Sequence, residues 1–348
     1  MVSSREISSR ERVLHAVRHE EGDRLPRFVN FSQSVASRLN MELQLNDPAV
    51  LKSYFQSDIE LYEMQYDCPH FDGKDLFGIT YERSPEKKKK VKFHPLESIQ
   101  GEDDIVYHEW PSPDWADYGM LKRRLNKARA DKMYTAVSSG GGVVDQAFNL
   151  IGYDNFMSAV NYSPHLINAV IWRLNEFFLE IERRIFTCDL GAIDMCYHIN
   201  DLSFINRDIF CDFFAGPLAE LNRQAKSFGI KTMIYTPGSL PEALIPDLIE
   251  CGYDVIAPFP SNAGEEDATK DLKDKYGDRI TLMGHVNVDS ILSLKSPDEV
   301  QEHVSMICED MKPGGGFIIG PDGVIDDSVP SVNILAFYEA IDMYGNYD

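Results

Sequence analysis

Seven short apolar runs along the chain each end in residues that can donate, accept or hold: Asn30, Ser138–Gly142, His198–Asp201, Tyr235–Gly238, Pro258–Asn262, Gly284–Asn287 and Pro321–Gly323. A carboxyl, an imidazole and a phenol brought to one pocket can protonate a departing group or deprotonate an attacking one. His198, Asp201, Tyr235 and Asp322 are the candidates for that work. Asn30, Asn200 and Asn287 offer neutral donors and acceptors to a bound molecule. Phe28, Phe31, Tyr235 and Phe259 offer flat apolar walls. Two of these have alternatives: a structural histidine for His198, core packing for Phe28.

Other groupings carry less. Gly140–Gly142 lack the Gly-Lys-Ser/Thr ending of a P-loop and the spacing of a dinucleotide fingerprint, so the reading is room for a flat ligand. Asp145 and Gln146 follow them, as polar contacts or as a helix cap. His15 and His19 have the i, i+4 spacing of a metal pair, but exposed or core positions are the simpler account. Lys87–Lys90 reads as a solvated hairpin arm. The six cysteines include no CxxC pair, which predicts reduced, mostly buried thiols in a cytoplasmic protein.

The elements that must position these residues follow a regular alternation. Ser8 and Glu11 have capping-box spacing, which starts a helix that ends before Pro26. RFVNF at 27–31 reads as a buried strand, and 57–68 as strand or helix. From about residue 133, β-branched runs (TAVSS, AIDMCYH, KTMIYT, DVIAPF, ITLMGH, GFIIG) alternate with helical segments. Ile167, Ile171, Leu174, Phe178, Ile181 and Ile185 mark the buried face of one long helix. Helix–Gly–strand alternation calls for right-handed crossovers and a parallel sheet. The expectation is an α/β fold, a (β/α)8 TIM barrel, as one domain over 1–348 with an N-terminal helical elaboration. Residues 45–132 form an irregular insertion carrying a β-hairpin that turns near Ser84 and Pro85. An open doubly wound sheet is the other arrangement. In a barrel, the strand C-termini converge on one mouth, where the polar run-ends would meet.

Composition narrows the partners. The 348 residues carry 34 Lys plus Arg against 56 Asp plus Glu, a net charge of −22. Such acidity argues against an extended nucleic-acid surface. No apolar run has the length of a membrane span, and the first residues lack the apolar stretch of a secretion signal.

Several segments, in order, resemble the uroporphyrinogen decarboxylase superfamily: ERVLHAVRHEEGDRLP, KDLFGITYE, NLIGYDNFMSAVNYSPHLINAVIWRL, HINDLSF, LIPDLIECGYDVIAPF, KYGDRITLMGHVN and KPGGGFIIGPDGVIDDSVPSVNILAFYEA. The resemblance implies the barrel and, in particular, the corrinoid-dependent methyltransferase branch. Two departures bear on function. Where the decarboxylases carry an Arg-Gln-Ala-Gly-Arg segment for tetrapyrrole carboxylates, this chain reads RFVNFSQS, with Arg27 its one cation. Where thiol-methylating members bind zinc through His-x-Cys, it reads Tyr235-Thr236-Pro237, and the last exit, GPDG, lacks a third cysteine.

The remaining branch cleaves aryl methyl ethers. Its members carry a Glu/Glu/His set proposed to hold zinc, which the resemblance places at Glu250, Glu265 and His285 (Glu-x14-Glu-x19-His), the second interval one residue short. Barrel geometry disagrees in part, because Glu250 ends a helix and falls at the opposite rim, leaving Glu242 or Glu266 as third ligand. The expected function is transfer of a methyl group from a methoxyarene to the cobalt of a partner corrinoid protein, without nucleic acid or membrane. The alternatives are decarboxylation and a non-catalytic tetrapyrrole-binding role.

Overall fold

A capping box opens the first helix: the Ser8 hydroxyl accepts from the Glu11 amide (3.3 Å), and the Glu11 carboxylate accepts from the Ser8 amide (3.0 Å). The structure is a computed structural model and describes residues 7–45, 50–68, 73–83, 89–188, 193–238, 240–259 and 268–347. In chain order the elements are α1 (Ser9–Val17), α2 (Gln33–Glu42), α3 (Val50–Tyr54), β1 (Ile59–Glu63), β2 (Thr80–Arg83), β3 (Lys89–Phe93), α4 (Glu102–Val106), α5 (Tyr118–Ala130), β4 (Tyr134–Ser138), α6 (Val143–Ile151), α7 (Tyr153–Tyr162) and α8 (Pro164–Thr187). There follow β5 (Met195–Ile199), α9 (Arg207–Ile209), α10 (Ala215–Ser227), β6 (Lys231–Tyr235), α11 (Ile245–Cys251), β7 (Val255–Ala257), α12 (Ala268–Tyr276), β8 (Thr281–Val286), α13 (Pro297–Met311), β9 (Phe317–Pro321) and α14 (Ser331–Tyr344).

Seven strands form one curled parallel sheet in the order β1-β4-β5-β6-β7-β8-β9. The six expected runs from residue 133 onward all became strands. The strand expected at 27–31 did not form a regular ladder. Residues 26–31 instead make single bridges, Arg27 to Ile319 of β9 and Phe31 to Ile325 in the segment after it, and the Arg27 carbonyl accepts from the Asp58 amide (2.9 Å). Pro26 supplies no donor there, which shortens any ladder. The ambiguous stretch 57–68 contributes β1, paired with β4, so the region 45–132 is part of the main sheet as well as an insertion. The β2–β3 hairpin is antiparallel as expected; its turn at 84–88, including Lys87 and Lys88, lies outside the described residues.

Strand alternation sorts the side chains into two layers. Ile59, Tyr134, Ala136, Met195, Tyr197, Met233, Val255, Ala257, Met283 and Ile318 face the lumen and bury one another. Each fully buried large side chain of that set contributes on the order of 1.5–3 kcal/mol. Helix α1 closes the lower end, its Val13, Ala16 and Val17 joining the same cluster while the Ala16 carbonyl accepts from the Gly316 amide (3.1 Å). Asp58, fully buried beneath β1, accepts from Arg12 (2.6 Å), Arg24 (2.7 Å) and the Arg27 amide (2.8 Å). Asp23 holds Arg12 from its other side (2.6 Å), which explains the Asp-Arg-x-Pro segment at 23–26 as an electrostatic seam between α1 and the sheet.

The outer layer carries the long helix. Ile167, Ile171, Leu174, Phe178, Ile181 and Ile185 of α8 are all buried, as their spacing predicts. Among the cysteines, Cys196, Cys251 and Cys308 are buried, whereas Cys188 and Cys211 are exposed; all six are free thiols. Half of the set, rather than most of it, therefore behaves as small apolar core. Among the described residues no helix is long and apolar enough to cross a membrane.

Candidate active site

The upper edge of the sheet, where the strands end, gathers the chemistry. Of the partly buried residues packed on the lumen cluster, Leu14 belongs to α1, and Leu61, Ile199 and Tyr235 form an apolar floor with one phenol in it. Tyr197 lies edge-on to Tyr235, ring centroids 6.4 Å apart. Burial, then the neighbouring Asp322 and Glu63 carboxylates, push the Tyr235 hydroxyl above its ordinary range, so it stays neutral and able to donate. Asp322 itself is raised by burial. Its two oxygens accept from the Val288 amide (2.9 Å) and from Asn287 Nδ2 (2.7 Å).

A second pair of acids lies just past the ends of β4 and β5. Asp145, in the first turn of α6, accepts from the backbone amide of Asp201 (2.9 Å). Burial, with a smaller contribution from the Asp201 carboxylate, pushes Asp145 up to about 6, even though the Asp201 amide opposes the shift. Asp201 is tied in turn by the Ser203 amide (3.0 Å) and hydroxyl (2.6 Å). One member of this pair is thus a carboxylic acid poised near neutrality, the condition that suits proton transfer. Of the candidates named from sequence, Tyr235 ends β6, Asp322 directly follows β9 and Asp201 lies two residues past β5, while Asn30 donates to the Gly323 carbonyl (3.4 Å) just past β9.

Other candidates are elsewhere. His198 faces away from the lumen, because Met195, Tyr197 and Ile199 take the inward positions of β5. It is buried against α8 and cannot reach a ligand in the mouth. Phe31 packs on Phe55 and Tyr338 in the outer layer (5.4 and 6.1 Å), so it forms no aryl wall. Phe259 does likewise, stacked flat on His285 at 4.3 Å. Phe28 joins the lumen cluster as packing. Asn200 is fully buried, its Oδ1 accepting from the Val144 amide (2.9 Å) and so positioning α6, while its Nδ2 is buried without a hydrogen-bond partner. Asn287 spends its groups on Asp322 and on Ser290 (2.7 Å), so it orients the acid.

The glycine segment makes room for the protein itself. A Cβ on Gly142 would lie 1.7 Å from the Ile199 carbonyl and 2.3 Å from Asn200 Oδ1, so only glycine lets α6 seat against the end of β5. Gly142→Ala is expected to destabilise by at least roughly 2 kcal/mol, the upper part of the overpacking range. Gly216→Ala in α10, with its nearest contact at 3.9 Å, is expected to be neutral or stabilising by up to about 1 kcal/mol. Thermal melts of both variants check the pair; equal melting temperatures would contradict the close approach at Gly142.

Residues 121–344 match the family described as Uroporphyrinogen decarboxylase (URO-D). The chain belongs to that family. A methyltransferase from Methanosarcina mazei superposes over 97% of this chain and 99% of its own, with a TM-score of 0.72 at 16% identity, which shows a shared fold. A GH113 β-1,4-mannanase (91% of this chain and 99% of its own, TM-score 0.40, 10% identity) and a xylanase, Xyn10A, from Cellvibrio japonicus (66% and 84%, 0.39, 12%) are too dissimilar to carry an argument. No curated protein sequence matches the chain.

The zinc set that the URO-D resemblance implies does not fit the described residues. Glu250 is exposed at the end of α11, away from the mouth. His285 is buried under α12, with Nε2 held by Thr269 Oγ1 (2.6 Å) and Nδ1 buried without a hydrogen-bond partner. Burial pushes it down to about 3, so the ring is neutral. Gly284 and His285 both have positive φ (97° and 92°), which turns this part of β8 and sends the imidazole outward. Glu265 and Glu266 lie outside the described residues, and Glu242 pairs with Lys275 (3.0 Å). The residues that sequence reasoning underweighted are Asp145, Glu63 and Tyr197. Strand alternation would have selected Tyr197 over His198.

Proposed function

We propose that this URO-D family member is a methyltransferase that moves a methyl group from a methoxylated aromatic to the cobalt of a corrinoid carried by a partner protein. The observation that carries this reading is the Asp145–Asp201 pair beside an apolar floor, with Asp145 raised to about 6. An aryl oxide leaves slowly unless it is protonated, and a carboxylic acid with a pKa near neutrality supplies the proton. The ring rests on Leu61, Ile199 and Tyr235. As the acceptor's electron pair forms the bond to methyl carbon, the C–O pair returns to oxygen and takes the Asp145 proton, which solvent then replaces. The fold shared along its whole length with a methyltransferase supports the same reading.

The family's decarboxylase chemistry fits less well. Substrates rich in carboxylates need guanidinium partners. Arg27 is buried and paired with Asp342 of α14, so it does not face the mouth. The test mixes the protein with 2-methoxyphenol and free cob(I)alamin. Methylcobalamin absorbance should grow in step with the catechol released. Carbon dioxide from a carboxylated arene or porphyrinogen, with no requirement for cobalt, would replace this reading by the decarboxylase one.

A further inference from the structure

Behind β5, on the side away from the lumen, a second cluster has no part in the reaction above. Cys196 and His198 are two residues apart and share the outward face of the strand. Glu182 comes from α8, packed on that face. All three are buried, with exposures of 1%, 2% and 0%. His198 Nε2 lies 3.8 Å from Cys196 Sγ and 3.1 Å from Glu182 Oε1, and the three ligand atoms fall within 4.8 Å of one another. Tetrahedral zinc, with bonds of about 2.0–2.3 Å, sets ligand–ligand edges of about 3.3–3.6 Å. Small side-chain adjustments bring the observed separations to those edges.

We propose that Glu182, Cys196 and His198 bind a zinc ion that pins α8 to β5. Three further observations agree. First, Glu182 is fully buried and neither of its carboxylate oxygens has a partner in good hydrogen-bond geometry; its neighbours are His198 Nε2 at 3.1 Å and the Cys196 thiol, the other two members of the set. A buried carboxylate held only by these two groups is better compensated by a cation between all three. Both oxygens are available for bidentate ligation. Second, His198 Nδ1 lies 2.9 Å from the Tyr253 hydroxyl. With the proton on Nδ1, donated to that oxygen, the Nε2 lone pair points at the other two ligands, the usual arrangement behind a metal-bound histidine. Third, one carboxylate and one thiolate balance a divalent cation, so the loaded site is neutral, as a dry interior demands. A thiolate–imidazole–carboxylate set also suits zinc above harder cations.

This site is separate from the mouth, so its fate is independent of the methyl-transfer reading.

The experiment is metal analysis of the full chain, purified with zinc and separately reconstituted with Co²⁺. The expected result is one zinc per chain and a thiolate-to-cobalt charge-transfer band in the cobalt form. Cys196→Ser should abolish that band, and Glu182→Gln should weaken zinc affinity by more than roughly 100-fold. Tyr253→Phe should weaken it about 10–100-fold through loss of the histidine's orienting partner. His285→Asn should bind zinc as the parent does. Should the ligand variants fail to fold, the parent spectrum still decides, because it needs the thiolate band. A parent without bound zinc, or a cobalt spectrum without that band, overturns the proposal and leaves a metal-free Glu182–His198 ion pair. Undiminished zinc in Cys196→Ser overturns it equally.

Discussion

Replacing Asp145 with asparagine should make the protein more stable and nearly inactive at the same time. Burial raises this carboxyl from 3.8 to about 6 in the folded state. The sign follows from linkage: below the unfolded value both states hold the proton, and the group costs nothing. As pH climbs between the two values the unfolded chain releases its proton first, so folded stability falls, and above about pH 6 the full cost is present. That cost is roughly 1–3 kcal/mol. Asparagine keeps an oxygen for the Asp201 amide but carries no charge. Asp145→Asn should therefore raise the melting temperature at pH 8 and leave it unchanged near pH 3.5. Methyl transfer should drop about 10²- to 10⁴-fold, the span of general-acid contributions. The parent's rate should decline above about pH 6, and the variant's residual rate should lack that limb. A variant that is active, or that gains no stability at alkaline pH, would remove Asp145 from the chemistry.

The largest loss of stability is expected at Asp58. It is fully buried and receives two guanidinium groups, those of Arg12 and Arg24, whose side chains are only 8% and 12% exposed. Asp58→Ala leaves the Arg24 guanidinium buried without its carboxylate and Arg12 with Asp23 alone, which costs about 3–5 kcal/mol. For a protein of this size that corresponds to a fall in melting temperature of roughly 5–15 °C. Lys52→Ala breaks the neighbouring Lys52–Glu60 pair, where the lysine is half exposed. That change should cost no more than about 1 kcal/mol. Comparable losses in the two variants would mean that the seam beneath β1 is not the structural tie its burial indicates.

The fold was legible because two periodicities repeat cleanly. Alternating β-branched runs located β4 to β9, and the three-to-four spacing of apolar residues located α8. The stretch containing β1 was ambiguous, since IELYEM satisfies either period until β4 pairs with it. Residues 26–31 carried a strand's composition, yet they make only single bridges, at Ile319 and Ile325. The site was legible to the level of its rim and no further. Tyr235, Asp201 and Asp322 followed from their place at run-ends, but so did His198 and His285, which point the other way. One residue of register decides the face of His198, and the positive-φ turn at Gly284 and His285 decides that of His285. Asp145 was hidden because its importance arises from burial and from the Asp201 amide, 56 residues away in sequence. No local pattern encodes that meeting.

The seal that α1 makes has a kinetic consequence. With the floor of the lumen stoppered, traffic past Tyr235 and Asp145 is one-way-in, same-way-out. Under the proposed methyl transfer, a protein-borne acceptor would sit over the opening that the small donor uses. The donor would then load before the acceptor, and the product would leave only once the acceptor departs, which makes the order of turnover compulsory.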